Sequence, residues 1–301
     1  MRSFIGLTKR NMLVYLRDKA TVFFSLLSPL IILFLYVMFL KQNYVDSVNS
    51  IIKGVGIDSL ITQKQIDGFV NSWLISGILA ASCITVPLSS LTLIVSDKET
   101  QKDFDLFASP VKKWKLGISY LLASFLNTFI ITAVILTLGI ILLVVNGVPM
   151  SFTKIILCYL VLLIGSLSGS AFMYMIVSFF KKNTTVGAFT GIVCAASGFL
   201  IGAYMPISMF DKWLQIVANA LPGSHISGLF RNLLMGSALD NMNSLLNSKE
   251  FMDNMKEVFS LDLYFFGNNI GQNVMWIYSI ASLLVLIVLD VFVFLRTSKR
   301  K

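Results

Sequence analysis

Apolar residues form six long stretches along this chain, and polar segments separate them. The stretches lie near 22–40, 71–95, 117–145, 155–180, 185–205 and 273–295. A helix needs about 20 apolar residues to cross the hydrocarbon core of a bilayer, and each stretch is close to that length or longer. The pattern therefore predicts an all-α integral membrane protein with six transmembrane helices, in which residues 1–301 form a single membrane domain.

The polar segments between the predicted spans are unequal in length. Residues 41–69 are expected to form a moderate loop and 146–154 a tight turn, whereas 206–272 is a long excursion. Apolar residues recur at helical spacing in two parts of that excursion, which predicts two re-entrant or interfacial helices. A small soluble cap is an alternative for 240–262.

Prolines mark three expected interruptions. Pro222, followed by Gly223, is expected to stop the first helix of the excursion. Pro29 and Pro87 lie inside the first and second predicted spans and are expected to kink them.

The first 20 residues predict a basic amphipathic helix. Arg10 and Arg17 lie on one side of it, and Phe4, Leu7 and Leu16 lie elsewhere. A helix of this kind fits the inner membrane surface, where anionic lipid attracts it. Simple anchoring is the alternative to a part in the mechanism.

The basic residues predict the orientation of the chain in the membrane. Four segments on one side of a six-span topology hold 16 of the 24 lysines and arginines. By the positive-inside rule this side is cytoplasmic, so both termini lie inside, and most acidic residues fall outside. The 16 residues are Arg2, Lys9, Arg10, Arg17, Lys19, Lys98, Lys102, Lys112, Lys113, Lys115, Lys181, Lys182, Arg296, Lys299, Arg300 and Lys301.

The composition agrees with a membrane protein and argues against nucleic-acid binding. Hydrophobic residues make up 56% of the chain and charged residues 13%, and the mean hydropathy is +0.81. The net charge of +9 does not predict a nucleic-acid partner, because the bases stand at the ends of apolar runs and form no basic face. The three cysteines lie far apart inside apolar runs, so they predict neither disulfides nor a metal site.

The predicted spans lack the groups that ion-coupled carriers use. Such carriers need ionisable side chains within the bilayer, and the spans contain one acid, Asp290, which is expected to pair with Arg296 or with a base of a neighbouring chain. The single histidine, His225, is expected in an outer loop. Motifs such as H-E-x-x-H and G-x-S-x-G are also missing. We therefore expect no catalytic residue, metal site or cofactor site on this chain.

Small residues recur along the fifth predicted span. Gly187, Gly191, Gly198 and Gly202, together with Ala195, follow one another at intervals of three or four residues. Such stripes let helix backbones approach closely in membranes. Packing within the chain and contact with another subunit are both open interpretations.

The charged segment SDKETQKDFDLFASP, residues 96–110, lies between the second and third spans. Ser96 and Glu99 have the S-x-x-E spacing of a capping box, and Pro110 disfavours continuation of a helix. These signals predict a helix of about a dozen residues, ~18 Å long.

Two phenylalanines are expected to share a face of that helix. Phe104 and Phe107 would form this face, while Asp103 and the other charges stay in water. The rings either pack on the protein's own spans or the bilayer surface, or fill a groove on a soluble partner. We favour the groove on a partner, because no ATP-binding motif is found in this sequence. A separate ATPase would then need a cytoplasmic segment of the chain to bind, and this helix is the best-formed one.

Several segments, in their order, resemble a known family. LTKRNMLVYLRDK precedes a first span that opens SLLSPLIILFLYVMF, and ASPVKKWKLG follows the second span. MPISMFDKWLQIVANALPGSHISGLFRNLLMG follows the fifth span. Together these segments resemble the permease subunits of type-2 ABC exporters over essentially the whole chain.

The resemblance implies a half-transporter in a plasma membrane, which we expect to be bacterial. Its partners are a second, identical permease subunit, the lipid bilayer and two copies of an ABC ATP-binding subunit that carry ATP and Mg²⁺. In such proteins the loop after the second span contacts the ATPase. This implies an ATPase-coupling role for Glu99, Asp103, Phe104 and Phe107.

The resemblance also implies that the second and fifth spans line the central path. Their polar residues are Ser76, Ser82, Thr85, Thr190 and Ser197. A path with so few polar groups suits a hydrophobic or amphipathic substrate, such as a drug, an antimicrobial peptide, a lipid or a glycan, exported by alternating access. The alternative is a non-transporting scaffold or sensor subunit that docks an ATPase, and an ion-coupled carrier is the third hypothesis.

Overall fold

The computed structural model of this chain describes residues 2–54, 61–108, 111–246, 249–265 and 268–299. Within these residues, six helical segments are long and apolar enough to cross a membrane: Leu27–Gly54, Gln63–Glu99, Trp114–Val145, Phe152–Val177, Asn183–Leu200 and Gln272–Phe294. The sequence prediction of six such helices is confirmed. The described part departs from an all-helical fold at one short antiparallel hairpin, in which Leu263 pairs with Ile270.

The elements follow one another as α1 (Arg2–Arg17), α2 (Lys19–Ser25), α3 (Leu27–Leu35), a π-helical segment (Tyr36–Leu40), α4 (Lys41–Gly54), α5 (Gln63–Glu99), α6 (Lys102–Ala108), α7 (Lys113–Val145), α8 (Phe152–Val177), α9 (Asn183–Leu200), a 3₁₀ turn (Ile207–Met209), α10 (Lys212–Asn219), α11 (Pro222–Leu246), α12 (Lys249–Val258), β1 (Leu263–Phe265), β2 (Asn268–Ile270) and α13 (Gln272–Lys299).

The first span continues well beyond residue 40, where the sequence prediction ended it. Through the π-helical segment it runs into the 14 residues of α4, which had been expected to be loop. Helix forms here because apolar residues of α4 recur at helical spacing and give it one face to bury. The buried residues of this face are Tyr44, Val45, Val48 and Ile52.

Pro29 stands in the first turn of α3, and the helix is interrupted just before it at Leu26, between α2 and α3. Proline has no N–H to donate to the carbonyl four residues earlier, here that of Ser25. The break therefore agrees with the interruption expected from Pro29.

Pro87 lies inside α5 and shapes the contact between α5 and α8. Proline has no N–H to donate to the carbonyl four residues earlier, which leaves the Cys83 carbonyl without its helical partner. α8 approaches this point with Gly169, where a β-carbon would collide with the Cys83 carbonyl oxygen. Glycine is therefore required at this position for the two helices to meet.

α5 is the central helix of the bundle. Its 37 residues give a length of about 55 Å at ~1.5 Å per residue, well above the ~30 Å of a bilayer core. The elements that pack against it are α1, α2, α3, α4, α6, α7, α8, α9 and α11.

The long excursion after α9 folds back into the bundle. Pro222 was expected to stop a helix, but it starts α11, since a first-turn proline is compatible with a helix start. The first turns of α11 reach the middle of the bundle: Gly223 lies against Ile84 of α5, and Ile226 lies against Gly165 of α8. α10 corresponds to the first helix predicted in the excursion, whereas α11 was not predicted, and the re-entrant or interfacial placement of α10 stays a prediction.

α12 and the hairpin cover the end of the bundle where α5 begins, which we call the capped end. Phe251, Met255 and Phe259 of this region are fully buried. The Phe259 ring meets Phe69 of α5 edge to face at 5.0 Å, and it lies 5.9 Å from the Tyr44 ring of α4. The packing favours the cap over an interfacial helix for α12, while residues 240–246 belong to α11.

Candidate functional site

The candidate site lies at the opposite end of the bundle, where α5 ends and the bases cluster. We call it the basic end, and it comprises α1, the end of α5, α6 and the turn between α8 and α9. The predicted capping box there is wrong, because Ser96 and Glu99 belong to the last turn of α5. The Ser96 carbonyl accepts the N–H and the hydroxyl of Thr100 at the end of α5. α5 continues through the S-x-x-E sequence because its apolar pattern favours helix up to this point.

α6 is a separate helix of seven residues, about 10 Å long and shorter than predicted. Gln101, with φ of 59°, turns the chain from α5 into it. Phe104 is 56% exposed, whereas Asp103 is buried, contrary to the expectation that the charges stay in water. The side chain of Phe107 and residues 109–110 lie outside the described residues. α6 therefore offers an exposed ring to a partner, and its coupling role stays a prediction.

Two side chains at the end of α5 hold the turn between α8 and α9. The Lys98 ammonium donates to the Ser178 carbonyl at 2.7 Å, at the end of α8. The Glu99 carboxylate accepts the N–H of Asn183, the first residue of α9, at 2.8 Å. A cation at a helix C-terminus and an anion at an N-terminus both suit the helix dipole. Glu99, predicted to contact an ATPase, thus joins α5 to α9 within the chain.

The amphipathic helix α1 is fixed to α5 by an ion pair. The Arg10 guanidinium donates to both oxygens of Asp97, with 2.9 Å between Nη2 and Oδ1, and Tyr120 of α7 donates to the same carboxylate. The Asp97 carboxylate raises the pKa of Arg10 above its usual value. Asn11 also donates to Ser119 of α7 at 3.1 Å. α1 is therefore part of the helix bundle, which simple anchoring does not require.

The comparisons with known proteins agree with this architecture. A family model described as "ABC-2 family transporter protein" matches residues 42–295, most of the chain. The chain belongs to the ABC-2 transporter family. A search among curated proteins gives no match.

Membership of the ABC-2 family makes this chain a membrane-spanning permease subunit of a transporter. Subunits of this kind associate with an ATP-binding subunit and are generally not catalytic themselves. The position at which such a partner contacts this chain stays a prediction.

The hydroxyls predicted to line the path are divided between the core and α9. Ser76, Ser82 and Thr85 are buried, and each donates to the carbonyl four residues earlier in α5. Thr190 is partly buried and does the same in α9, whereas Ser197 lies 3.0 Å from the Ser28 hydroxyl of α3. The hydroxyls of α5 thus satisfy its own backbone in this conformation, and the role of all five in a path stays a prediction.

The glycine stripe of α9 divides in the same way. No described atom lies within 4 Å of a β-carbon built on Gly187 or Gly191, so these two residues face open space. A β-carbon on Gly198 would meet the ring of Tyr204 in the turn after α9. Gly198 therefore packs within the chain, while a subunit interface at Gly187 and Gly191 stays a prediction.

Gly202 follows α9 and packs within the chain, since a β-carbon there would collide with Ile207. Its φ is +71°, a left-handed conformation that glycine adopts without strain. Its N–H donates to Phe199 at 2.9 Å, and the N–H of Ala203 donates to Gly198 at 2.7 Å, the bond pattern of a Schellman motif. The fifth span therefore ends at Leu200, before the predicted residue 205.

Arg231 of α11 is a buried base that the sequence prediction missed. It is 0% exposed, and its guanidinium donates to the Gly202 carbonyl after α9 and to the Ser260 carbonyl after α12 at 3.4 Å. Its Cζ lies 5.7 Å from the centre of the Trp73 ring of α5. Within the described residues no carboxylate pairs with it. The sequence did contain a signal for a buried base, because Arg231 stands inside the apolar sequence GLFRNLLMG.

Two further ionisable residues differ from their expected surroundings. His225 lies buried in α11 and not in a loop; its Nε2 is 2.8 Å from the Asn219 carbonyl, and its ring stacks on Tyr278 at 3.9 Å. Asp290 is 5% exposed, and neither carboxylate oxygen has a partner among the described residues. The Arg296 side chain lies outside the described residues, so the predicted pairing with Asp290 stays a prediction.

Proposed function

We propose that this chain is the permease subunit of an ATP-driven exporter that moves a hydrophobic or amphipathic substrate outward by alternating access. Two identical permease chains and two ATP-binding subunits, which hold ATP and Mg²⁺, form the working transporter in a bacterial plasma membrane. The proposal goes beyond family membership in its direction, substrate class and subunit count.

The observation that supports coupling best is the position of α6. The exposed Phe104 ring lies in the first turn of α6, five residues after the end of α5. In the last turn of α5, Lys98 holds the end of α8 and Glu99 holds the start of α9. Movement of α6 by a partner would therefore reach α5, α8 and α9 together. Short helices that insert an apolar ring into a groove are an established mode of recognition.

The test is Phe104→Ala in the membrane-expressed protein. Full burial of the ring in a partner groove is worth about 1.5–3 kcal/mol, which corresponds to about a tenfold to a hundredfold loss of affinity. We expect much less ATP-binding subunit to copurify and substrate-stimulated ATP hydrolysis to fall in proportion. The double variant Phe104→Ala plus Phe107→Ala should lose more of both.

Phe152→Ala is the matched control, because Phe152 is also exposed but begins α8 at the capped end of the bundle. It should leave copurification unchanged. Wild-type copurification and hydrolysis in Phe104→Ala would contradict the coupling role of α6.

A scaffold or sensor subunit is the second candidate, and it also predicts docking of an ATPase. Reconstituted vesicles that contain both subunits separate the two. ATP-dependent movement of an amphiphile across the membrane supports the exporter, whereas intact docking without movement of any tested amphiphile supports the scaffold.

A further inference from the structure

Residues 218–225, which we call the α10–α11 turn, are held in the bundle through three consecutive carbonyls at the end of α10. The last four carbonyls of a helix have no partner within it, so a side chain that donates to them fixes the helix end. The donor and acceptor pairs are Ser224 with Ala218 at 2.6 Å, His225 with Asn219 at 2.8 Å and Tyr278 of α13 with Ala220 at 2.7 Å. The turn is therefore tied to both α11 and α13.

One nitrogen of the His225 ring is bonded and, among the described residues, the other is not. The Asn219 carbonyl can only accept, so Nε2 carries a hydrogen and donates it. Nδ1 is buried and has no hydrogen-bond partner within the described residues. The ring is 1% exposed and stacks on the Tyr278 ring at 3.9 Å. A proton added at Nδ1 would bury a positive charge together with an N–H that has no acceptor, which is costly.

Among the described residues, no acid pairs with the His225 ring to balance such a charge. α13 faces the ring with Tyr278, and Tyr264 of β1 lies behind Asn219, whose amide donates to its carbonyl at 2.7 Å. The residues of α5, α8 and the chain after α9 that meet this part of α11 are uncharged: Ile84, Gly165 and Ile201. Arg231 is six residues further along α11, and Lys212 and Asp211 stand at the far end of α10. A charge on the ring would therefore have no counter-ion.

The first turn of α11 lies between α5 and the end of α9. A β-carbon on Gly223 would lie 2.9 Å from Ile84 of α5 and 3.2 Å from Ile201, just after α9. A cavity of about 40 Å³ at this place is lined by Pro222, Gly223 and, on α5, Cys83. Cys83 is buried, so release of the α10–α11 turn would expose its thiol.

We propose that His225 is an acid-sensitive latch that keeps the α10–α11 turn inside the bundle. With a neutral ring the latch is closed. A proton taken up at Nδ1 opens it, because the buried charge then favours the conformation in which water reaches the ring. The turn belongs to the excursion that the predicted topology places outside, so external acid loosens the bundle between α5 and α9. The latch adds regulation by pH to the proposed transport and does not depend on the substrate.

The sign of the pH dependence follows from burial. A histidine ring in water has a pKa of about 6.5, and burial lowers the pKa of His225, against a smaller opposite effect of the bond to Asn219. The released turn therefore binds the proton more readily than the closed turn. The closed turn keeps its full stability above about pH 6.5 and loses it as the pH falls towards the lower pKa of the buried ring, so its opening rises by up to about tenfold per pH unit.

Two native thiols report the opening. The full-length permease in lipid nanodiscs is treated with N-ethylmaleimide between about pH 7.5 and about pH 5.5, on both sides of the ordinary pKa of histidine. Labelling at each cysteine is read by mass spectrometry of peptides. Cys158 of α8 is the control thiol, because it is also buried but does not line the cavity. Thiol ionisation affects both cysteines, so the ratio of Cys83 to Cys158 labelling isolates the opening, and it should rise by up to about tenfold in acid.

His225→Gln is the matched variant. Its amide can donate an N–H to the Asn219 carbonyl but takes up no proton in this range, so its labelling ratio should not change with pH. The proposal is overturned if the wild-type ratio stays constant, if His225→Gln shows the same rise, or if both thiols become accessible together. The wild-type pH profile needs no variant, so it decides the question even where His225→Gln does not fold.

Discussion

At the basic end, charged side chains join the helices: the partly exposed Arg10 pairs with the buried Asp97, and Lys98 and Glu99 hold the α8–α9 turn. At the capped end, one fully buried base, Arg231, lies among aromatic rings and backbone carbonyls. α9 connects the two regions. The N–H of Asn183, the first residue of α9, donates to the Glu99 carboxylate. The Gly202 carbonyl, just after the last turn of α9, accepts from the Arg231 guanidinium. A negative charge at the N-terminus and a positive charge at the C-terminus both suit the helix dipole.

This difference in the exposure of the charged contacts indicates which end of the bundle can rearrange. Water reaches Glu99 and, in part, Arg10 and Lys98, so it can replace the contacts of these groups when they break. The buried Asp97 is the exception at this end. A buried guanidinium that loses its acceptors has no water to replace them. We therefore expect the basic end to change during the transport cycle, while the capped end keeps its packing.

The largest expected effect is at Arg231. Arg231→Ala removes a buried side chain and leaves the Gly202 and Ser260 carbonyls without this donor, so unfolding should become easier by at least about 3 kcal/mol. Thermal unfolding of the purified protein measures the loss. Lys212→Ala, an exposed base of α10, is the control and should be near neutral. Equal melting temperatures for the two variants would remove the contrast between the ends.

A smaller effect is expected at Asp97. Asp97→Asn keeps the shape but leaves Arg10 without a counter-charge, and hydrogen bonds to charged groups are worth about 1.5–3 kcal/mol. Because Arg10 is partly exposed, water offsets part of this loss, and the visible result should be release of α1. Trypsin should then cleave after Arg17 faster in inside-out vesicles. Asp105→Asn, an exposed acid of α6, should not alter cleavage, and no change in Asp97→Asn would show that the ion pair does not hold α1.

The smallest effect is expected at Glu99. Glu99→Gln keeps an oxygen that can accept the Asn183 N–H but removes the charge at the N-terminus of α9, which is worth about 0.3–1 kcal/mol. The resulting decrease in stability should vanish near 1 M salt, where the Debye length is about 3 Å. A decrease that persists at high salt would mean that geometry, and not charge, makes the contact.

The sequence predicted what local periodicity determines. Long apolar runs predict the six spans, and the period-3.6 pattern of 251–259 predicts the buried face of α12. Short sequence motifs failed to predict helix ends where the surrounding sequence or a packing contact determines whether the helix continues. Ser96 and Glu99 match a capping box, yet α5 continues through them, and Pro222-Gly223 can mark either a helix end or a helix start.

The candidate site was harder to predict because its partners are distant in sequence. Arg10 and Asp97 are separated by 87 residues, and no local pattern pairs them. α11 escaped detection as a buried helix because Ser224, His225 and Arg231 lower its hydropathy. Backbone carbonyls of neighbouring segments form hydrogen bonds with at least one polar atom of each of these side chains, so their burial depends on tertiary contacts.

The proline of α5 has a mechanical consequence. A helix about 55 Å long transmits a push from one end to the other as a stiff rod, except where its hydrogen-bond ladder is broken. Pro87 breaks that ladder once, roughly two-thirds of the way from the capped end, so bending strain concentrates there. Gly169 of α8 lies against the Cys83 carbonyl, which Pro87 leaves without its helical partner, so α8 contacts α5 at this break. α5 thus has a compliant joint at Pro87, and a force applied at α6 acts on a lever of about 20 Å, at ~1.5 Å per residue.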